Sequence, residues 1–162
     1  MSAPLSGAAP TARAVAHELL AAVLWRRQAL DEALPAHRGL AALDPRDRAF
    51  ARQLVATTLR RLGQIDALIA HGLSAPLPDR ARPVTDVLRL GVAQLAFLGT
   101  PGHAAVSTSV DLVDAVGHRK MKGLVNAVLR RLARESEALI ATQDAARLNT
   151  PDWLWQSWST AY

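Results

Sequence analysis

The charged residues from Gly117 to Arg134 are all basic, and they carry the clearest chemical signal in the chain. The six cations are Arg119, Lys120, Lys122, Arg130, Arg131 and Arg134. Four of these and Asn126 follow one another at intervals of 3, 4, 4 and 4 residues, which a helix would align as one stripe. The stripe would be about 22 Å long, enough to face several phosphates. Lys and Arg in such an arrangement bind a nucleic-acid backbone with little dependence on sequence.

A second basic set, Arg46, Arg48 and Arg52, lies in another segment with a helical pattern. No aromatic residue interleaves with the stripe between Gly117 and Arg134. Contacts to the backbone or overall shape of RNA are therefore expected there rather than base stacking. The alternative explanation is a solvated helix face, on which basic residues favour the C-terminal end.

The overall charge agrees with an anionic partner but has a second explanation. Lys and Arg number 19 against 14 Asp and Glu, which gives a formal net charge of +5 and an isoelectric point near 10.9. A basic protein of this kind favours partners such as nucleic acid. A GC-rich genome would also raise the use of Ala and Arg together, so composition leaves both explanations open.

The sequence predicts no catalytic, metal or cofactor site in this chain. It contains no cysteine, which excludes disulfides, a thiolate nucleophile and cysteine-ligated zinc. Phosphate-binding P-loop, GxGxxG, HExxH and GxSxG patterns are absent, and the five histidines lack metal-ligand spacing. Asp111 and Asp114 form a close carboxylate pair, for which charge balance is favoured over a catalytic dyad.

The elements that would position the basic residues are predicted to be helices alone. Ala and Leu dominate the composition, which favours helix, and the apolar spacing predicts an all-α bundle of about six to eight helices. Thr11 is expected to cap a first helix that reaches Arg27. Asp44 and Pro45 are expected to begin another helix. Gly91 stands inside a strongly apolar segment and is expected to mark a close helix crossing.

Proline and glycine predict where the helices stop. Residues 35–43 and 74–83 are predicted to be loops, and residues 99–102 a firm break. Residues 136–148 are predicted to be a weaker helical stretch after the basic helix. The longest apolar segments, 14–25 and 87–99, are interrupted by charged or polar residues and are too short for a membrane span.

Three parts of the chain are predicted from these patterns. Residues 1–10 are expected to be a disordered leader rather than a signal peptide, and the lack of cysteine fits a cytoplasmic location. Residues 11–148 are expected to form one helical RNA-binding domain. Residues 149–162 hold three of the four tryptophans. This aromatic segment either folds back on the bundle or, as we prefer, is the truncated start of a linker or second module.

Four motifs resemble the NusB-like RNA-binding fold. Asp47-Arg48-Ala49-Phe50 followed by Leu54-Val55 resembles its second-helix motif, and the run from Val87 to Leu95 resembles its buried central helix. His103-Ala104-Ala105-Val106 and the run from Lys122 to Arg131 resemble the next two helices. Order and spacing agree from about Thr11 to Glu135, and the run from Val125 to Arg130 is the most specific match.

The last residues of the chain resemble one particular family of proteins that contain this fold. Pro151-Asp152-Trp153-Leu154, with Trp158 and Tyr162, is similar to the domain junction of the RsmB/Sun (Fmu) family of 16S rRNA cytosine-C5 methyltransferases. In that family a NusB-like domain precedes an S-adenosylmethionine-binding domain whose cysteines attack cytosine. The resemblance implies an accessory RNA-binding domain here, with S-adenosylmethionine and catalysis expected in a domain missing from this chain.

The resemblance also implies partners and contact residues. It suggests RNA contacts at Arg46, Arg48, Arg119, Lys120, Lys122 and Arg130, to which the spacing adds Arg52, Asn126, Arg131 and Arg134. The implied partners are 16S ribosomal RNA and the catalytic domain of the full-length protein, without metal or membrane. Two alternatives stay open: a stand-alone NusB-type antitermination factor that binds RNA and a small ribosomal protein, and a helical adaptor for proteins alone.

Overall fold

Helix α1 (Ala12–Leu24) begins where the sequence predicts, because the Thr11 hydroxyl accepts a hydrogen bond from the Ala14 amide at 3.1 Å. The structure is a computed structural model that describes residues 10–161. The predicted leader therefore lies outside the described residues, except for Pro10. Helix α4 (Pro45–Arg60) begins in the same manner, with an Asp44 side-chain oxygen accepting from the Asp47 amide at 2.8 Å.

The described residues form ten α-helices and two short 3-10 helices, and no strand occurs among them. The remaining α-helices are α2 (Leu30–Ala36), α3 (Arg38–Ala42), α5 (Leu62–Gly72), α6 (Arg82–Phe97), α7 (Gly102–Ala115), α8 (Lys122–Ala141), α9 (Ala145–Leu148) and α10 (Asp152–Ala161). Eight of the ten have seven or more residues, so the prediction of an all-α bundle is confirmed. No helix of this described part is long and apolar enough to cross a membrane.

Helix α6 occupies the centre of the bundle and packs against α1, α4, α5, α7 and α8. Its residues Val84, Val87 and Leu88 are fully buried. At Gly91 an added Cβ would lie 2.8 Å from both the Ser109 Oγ of α7 and the Leu129 Cδ1 of α8. The missing side chain lets three helices meet there, so the predicted close crossing is confirmed.

The predicted loop at residues 35–43 is wrong, because α2 and α3 occupy most of it. His37 separates them and caps α3, with its Nδ1 accepting from the Leu40 amide at 3.0 Å. Its Nε2 meets Glu18 of α1 at 2.6 Å. Leu40 is buried against the core. Tertiary contacts of this kind stabilise helices that are too short to form alone.

The chain beyond the basic helix also differs from the prediction. Helix α8 continues to Ala141 without a break, and the short helix α9 then packs against α5. Asn149 and Gln64 hold this contact together through two hydrogen bonds. The Gln64 backbone N–H donates to Asn149 Oδ1 at 3.0 Å, and Asn149 Nδ2 donates to the Gln64 side-chain Oε1 at 2.8 Å. Gly63 allows the approach, since a Cβ there would lie only 1.5 Å from the Leu148 carbonyl oxygen.

Candidate nucleic-acid interface

The basic stripe lies on the outer face of α8 because the opposite face belongs to the core. Val125, Leu129 and Leu132 are fully buried on that inner face. Arg130 and Arg134 are exposed on the outer face, and Asn126 is half-buried. Local periodicity thus sets the direction of the stripe from Lys122 to Arg134. Arg119 lies outside α8, so the single helix that the spacing predicts for the whole stripe is wrong at that residue.

Three residues of the stripe meet in one groove between α7 and α8. Asn126, Arg130 and Arg134 line this groove from α8. The α7 wall contributes His103, Val106, Ser107, Val110 and Asp111. No ion pair joins Arg130 or Arg134 to a carboxylate within residues 10–161. The groove therefore presents two cations and an amide to an incoming anion, and Asp111 in its α7 wall carries the opposite charge.

The α7 wall is the part of the groove that sequence reasoning missed. His103, Ser107 and Asp111 are spaced four residues apart, which places them on one helix face. That spacing was present in the sequence, but nothing local indicates that this face would lie beside α8. The two helices are in contact at Gly102, where a Cβ would lie at an ordinary van der Waals distance of 3.5 Å from the Ala133 Cβ.

The N-terminal part of the basic stripe lies at the turn between α7 and α8. Arg119 and Lys120 belong to the short 3-10 helix Arg119–Met121 and are exposed. Lys122 begins α8, and its Nζ lies 3.8 Å from an Asp114 carboxylate oxygen on α7. Asp114 thus acts as the charge balance that the sequence favoured for it. A partly exposed pair at this distance contributes little to stability.

Arg131 faces away from the groove even though it follows Arg130 directly. Its Nε donates to a Glu135 oxygen at 3.0 Å, and His71 of α5 meets the same oxygen at 3.0 Å. These contacts with His71 and Arg131 hold the pKa of Glu135 below its usual range. The charge of Arg131 is therefore already matched within the bundle.

The three arginines of the second basic set differ in their exposure to solvent. Arg46 and Arg52 are exposed on α4, but Arg48 is half-buried. The Arg48 guanidinium donates to the carbonyl oxygens of Leu40, Ala41 and Leu43 at 3.3, 3.1 and 2.9 Å. These bonds satisfy the free carbonyls at the end of α3, so Arg48 holds that end against α4.

The described residues contain no group of three or more His, Asp or Glu side chains that could hold a metal ion. The groove offers cations, hydroxyl and amide groups, which suit the binding of phosphate oxygens. Fold and site together define the class: an all-α bundle with a cationic groove on its surface.

Comparison with known proteins gives the family. The model of the NusB family matches residues 10–134, and the chain belongs to this family. The resemblance from about Thr11 to Glu135 is thereby confirmed.

Curated relatives include ribosomal RNA small subunit methyltransferase B from several bacteria. The chain is 37% identical over 154 residues to the Xanthomonas campestris protein, covering 95% of this chain and 34% of that one. It is 37% identical over 145 residues to the Pseudomonas putida protein, covering 88% and 33%. It is 32% identical over 153 residues to the Escherichia coli O157:H7 protein, covering 93% and 35%. The chain spans about a third of the length of these relatives.

Two solved structures share the fold. One is a chain in the crystal structure of a plectonemic RNA supercoil, with a TM-score of 0.67 and 28% identity, covering 82% of this chain and 96% of that one. The other is a chain in the crystal structure of the antitermination factors NusB and NusE in complex with dsRNA. Its TM-score is 0.65 at 29% identity, covering 76% and 93%.

Proposed function

We propose that this chain is the RNA-binding domain of a 16S rRNA (cytosine-C5) methyltransferase whose catalytic domain lies outside it. The groove between α7 and α8 carries the proposal, because no carboxylate of the described residues forms an ion pair with Arg130 or Arg134 there. The similarity to methyltransferase B supports the choice of enzyme. A match over 95% of the chain must include most of residues 135–162, which the NusB-family model does not match.

The proposed contact is to the RNA backbone. Arg119 and Lys120 in the 3-10 helix before α8 would pair with phosphates. Along α8, Arg130 and Arg134 would do the same, while Asn126 would hydrogen-bond a phosphate or sugar oxygen. Arg46 and Arg52 on α4 form a separate exposed set that would add affinity at a second place. Lys122 and Arg131 would contribute less because each already has a carboxylate partner.

The described residues do not fit S-adenosylmethionine. Its binding in Rossmann-type domains uses a glycine-rich turn that follows a strand, and residues 10–161 contain no strand. The chain also has no cysteine to attack a cytosine ring. We therefore place the methyl donor and the reaction in the part of the longer relatives that this chain does not span.

The proposal extends to the organisation of the full protein. Residues 11–148 would be the RNA-binding domain, and residues 149–162 would begin the connection to the catalytic domain. The full protein would act on ribosomal RNA in the cytoplasm.

Two adjacent arginines of α8 test the groove. Arg130→Ala removes an unpaired cation, whereas Arg131→Ala removes one that is bound to Glu135. With a fluorescent 16S rRNA fragment, we expect Arg130→Ala to weaken binding by about fivefold to tenfold at low salt and Arg131→Ala by less than twofold. Fluorescence anisotropy at several salt concentrations gives both affinities and salt slopes.

The salt slope decides whether the effect is a lost phosphate contact. Losing one such contact should lower the slope of log K against log salt by about 0.7 to 0.9. Equal losses in both variants, or an unchanged slope in Arg130→Ala, would contradict the assignment of the groove.

The structural match to a chain from a NusB–NusE–dsRNA complex favours a second candidate, an antitermination factor. Such a factor would form a ternary complex with RNA and a small ribosomal protein. Gel filtration of the mixture would show it. Methylation of 16S rRNA by the full natural protein with S-adenosylmethionine would instead support the first proposal.

A further inference from the structure

Trp25 lies at the C-terminal end of α1 and is 38% exposed, although its indole is firmly held. The Nε1–H donates to the Asp86 Oδ2 at 2.6 Å. Asp86 belongs to α6 and is only 1% exposed. A buried carboxylate therefore fixes the orientation of a partly exposed aromatic ring.

Two arginines of α6 lie against this ring and differ in their freedom. The guanidinium carbon of Arg82 is 4.5 Å from the ring centroid, and that of Arg89 is 5.7 Å away. Arg89 is bound by Asp66 through two hydrogen bonds, at 2.8 and 3.0 Å, and by Asp86 through a third. Arg82 is half-exposed, and its closest carboxylate, Asp79, is 3.8 Å away. Arg82 is thus the outer, accessible member of the stack.

The surrounding surface is basic. Arg26 and Arg27 follow Trp25, Arg80 precedes Arg82 by two residues, and all three are exposed. No carboxylate of the described residues lies within ion-pair distance of these three guanidinium groups. Arg27 has a φ of 55°, a left-handed conformation that glycine adopts at lower cost. We call Trp25, Arg26, Arg27, Arg80 and Arg82 the Trp25 patch.

We infer that the Trp25 patch stacks an unpaired RNA base, an inference that rests on the proposed RNA-binding function. Bases stack on indole rings and on guanidinium planes, and the Arg82–Trp25 pair offers both surfaces in one stack. Arg26, Arg27 and Arg80 would pair with the flanking phosphates. Among the described residues, no Phe, Tyr or Trp lines the groove between α7 and α8. The two surfaces would therefore bind different features, a backbone in the groove and an unpaired nucleotide at the Trp25 patch.

The charge of the patch favours RNA over a protein partner. Among residues 10–161, Asp79 is the only carboxylate within ion-pair distance of its four arginines. The nearby carboxylates of Asp66 and Asp86 are paired with Arg89. Burying such an excess of like charge against a protein surface would be costly, whereas phosphates supply matching charge along their whole length.

A chain with Trp25 as its single tryptophan reports the stacking directly. Replacing Trp153, Trp155 and Trp158 with Phe leaves Trp25 as the one tryptophan, which can be excited without Tyr162. We expect a single-stranded RNA of twelve uridines to quench its fluorescence, and a blunt duplex of equal charge to leave it nearly unchanged. In the natural chain, Trp25→Leu should weaken binding of the single strand by at least fivefold and of the duplex by less than twofold.

Two further variants separate stacking from folding. Trp158→Leu removes an exposed tryptophan of α10 and should leave the affinity for the single strand unchanged. Arg82→Gln keeps Trp25 and its bond to Asp86, and should still weaken single-strand binding at least threefold. Thermal unfolding of each variant checks that the bundle is intact.

The outcomes are distinct. Duplex binding that depends on Arg130, with no quenching of Trp25 and unchanged single-strand affinity in Arg82→Gln, would overturn the inference and leave the proposed function standing. The patch would then be a surface for a protein partner. Failure of both RNAs to bind would overturn the proposed function itself.

Discussion

At the scale of the residue, the surroundings of each arginine decide whether its charge is already bound within the protein. Arg130 and Arg131 are adjacent in the sequence, but Arg130 lines a groove and Arg131 is bound to Glu135. Arg46 and Arg48 are two residues apart, but Arg48 holds the end of α3 through three carbonyls. The sequence identifies all four as cations. Glu135 follows Arg131 by four residues on the same helix, but the other partner of that carboxylate, His71, comes from α5. The Arg48 contacts depend on how α3 packs against α4, which no local pattern reveals.

The buried carboxyl of Asp86 predicts a dependence of stability on pH. Burial raises the pKa of Asp86, against the opposing effects of Trp25 and Arg89. In the unfolded chain this carboxyl titrates near its usual value of about 3.9. Between that value and the raised pKa, the folded state binds more protons than the unfolded state. The contribution of Asp86 to the free energy of unfolding should therefore fall as the pH rises through this window.

Asp86→Asn provides the comparison, because an amide oxygen can still accept from the Trp25 indole. Urea denaturation of both chains between pH 4 and 7 gives the two curves. We expect the difference in unfolding free energy between natural chain and variant to change with pH just above 4 and to level off at higher pH. A difference that stays constant across the whole range would show that Asp86 has an ordinary pKa.

At the scale of elements, the contact between α5 and α9 depends on the absence of one side chain. The backbone of Leu148 and Asn149 occupies the space beside Gly63, where a Cβ would meet it. Gln64 then bonds to both Asn149 and Gln143. Glycine and glutamine at these positions are unremarkable in the sequence, so the prediction of a weaker helix over residues 136–148 could not anticipate the contact.

Gly63→Ala should detach α9 while leaving the rest of the bundle folded. The added Cβ would overlap the Leu148 carbonyl, which as a backbone group cannot move aside alone. We expect hydrogen exchange at the amides of Leu148 and Asn149 to accelerate at least tenfold, about 1.4 kcal/mol of lost local stability.

Gly123→Ala is the matched control, since nothing lies within 4 Å of a Cβ at that helical position. It should keep the α9 amides protected and should stabilise α8 by up to about 1 kcal/mol. Unchanged exchange at Leu148 in Gly63→Ala would refute the role given to Gly63.

At the scale of the whole molecule, α10 stands apart from the bundle core. None of its residues is buried, and Trp153 and Trp158 are 70% and 53% exposed. Arg147 of the preceding segment contacts α10 in two ways. Its Nη2 lies 2.5 Å from the Asp152 Oδ1, and its guanidinium carbon lies 5.4 Å from the centroid of the Trp155 ring. The aromatic residues of α10 therefore do not join the buried core.

Two truncations test the independence of α10. A chain ending at Thr150 keeps the bonds between Gln64 and Asn149, so we expect its melting temperature to lie within about 2 °C of the full chain. A chain ending at Thr142 loses Gln143, α9 and Asn149, and should melt about 3–8 °C lower, in line with 1–2 kcal/mol of lost stability. Circular dichroism gives both values. A large drop in the longer truncation would show that α10 stabilises the bundle.

The sequence by itself determined the helical class, the caps at Thr11 and Asp44, the crossing at Gly91 and the direction of the basic stripe. These features follow from the spacing of apolar, glycine and basic residues and from hydrogen bonds between residues a few positions apart. Both kinds of signal are visible in the sequence. Only the tertiary structure decided which cations are free, where α9 lies and which tryptophan is held at the surface. The reason is physical: a close backbone approach such as that at Gly63 and a buried acceptor such as Asp86 each require a partner from a distant part of the chain, and packing alone brings that partner into place.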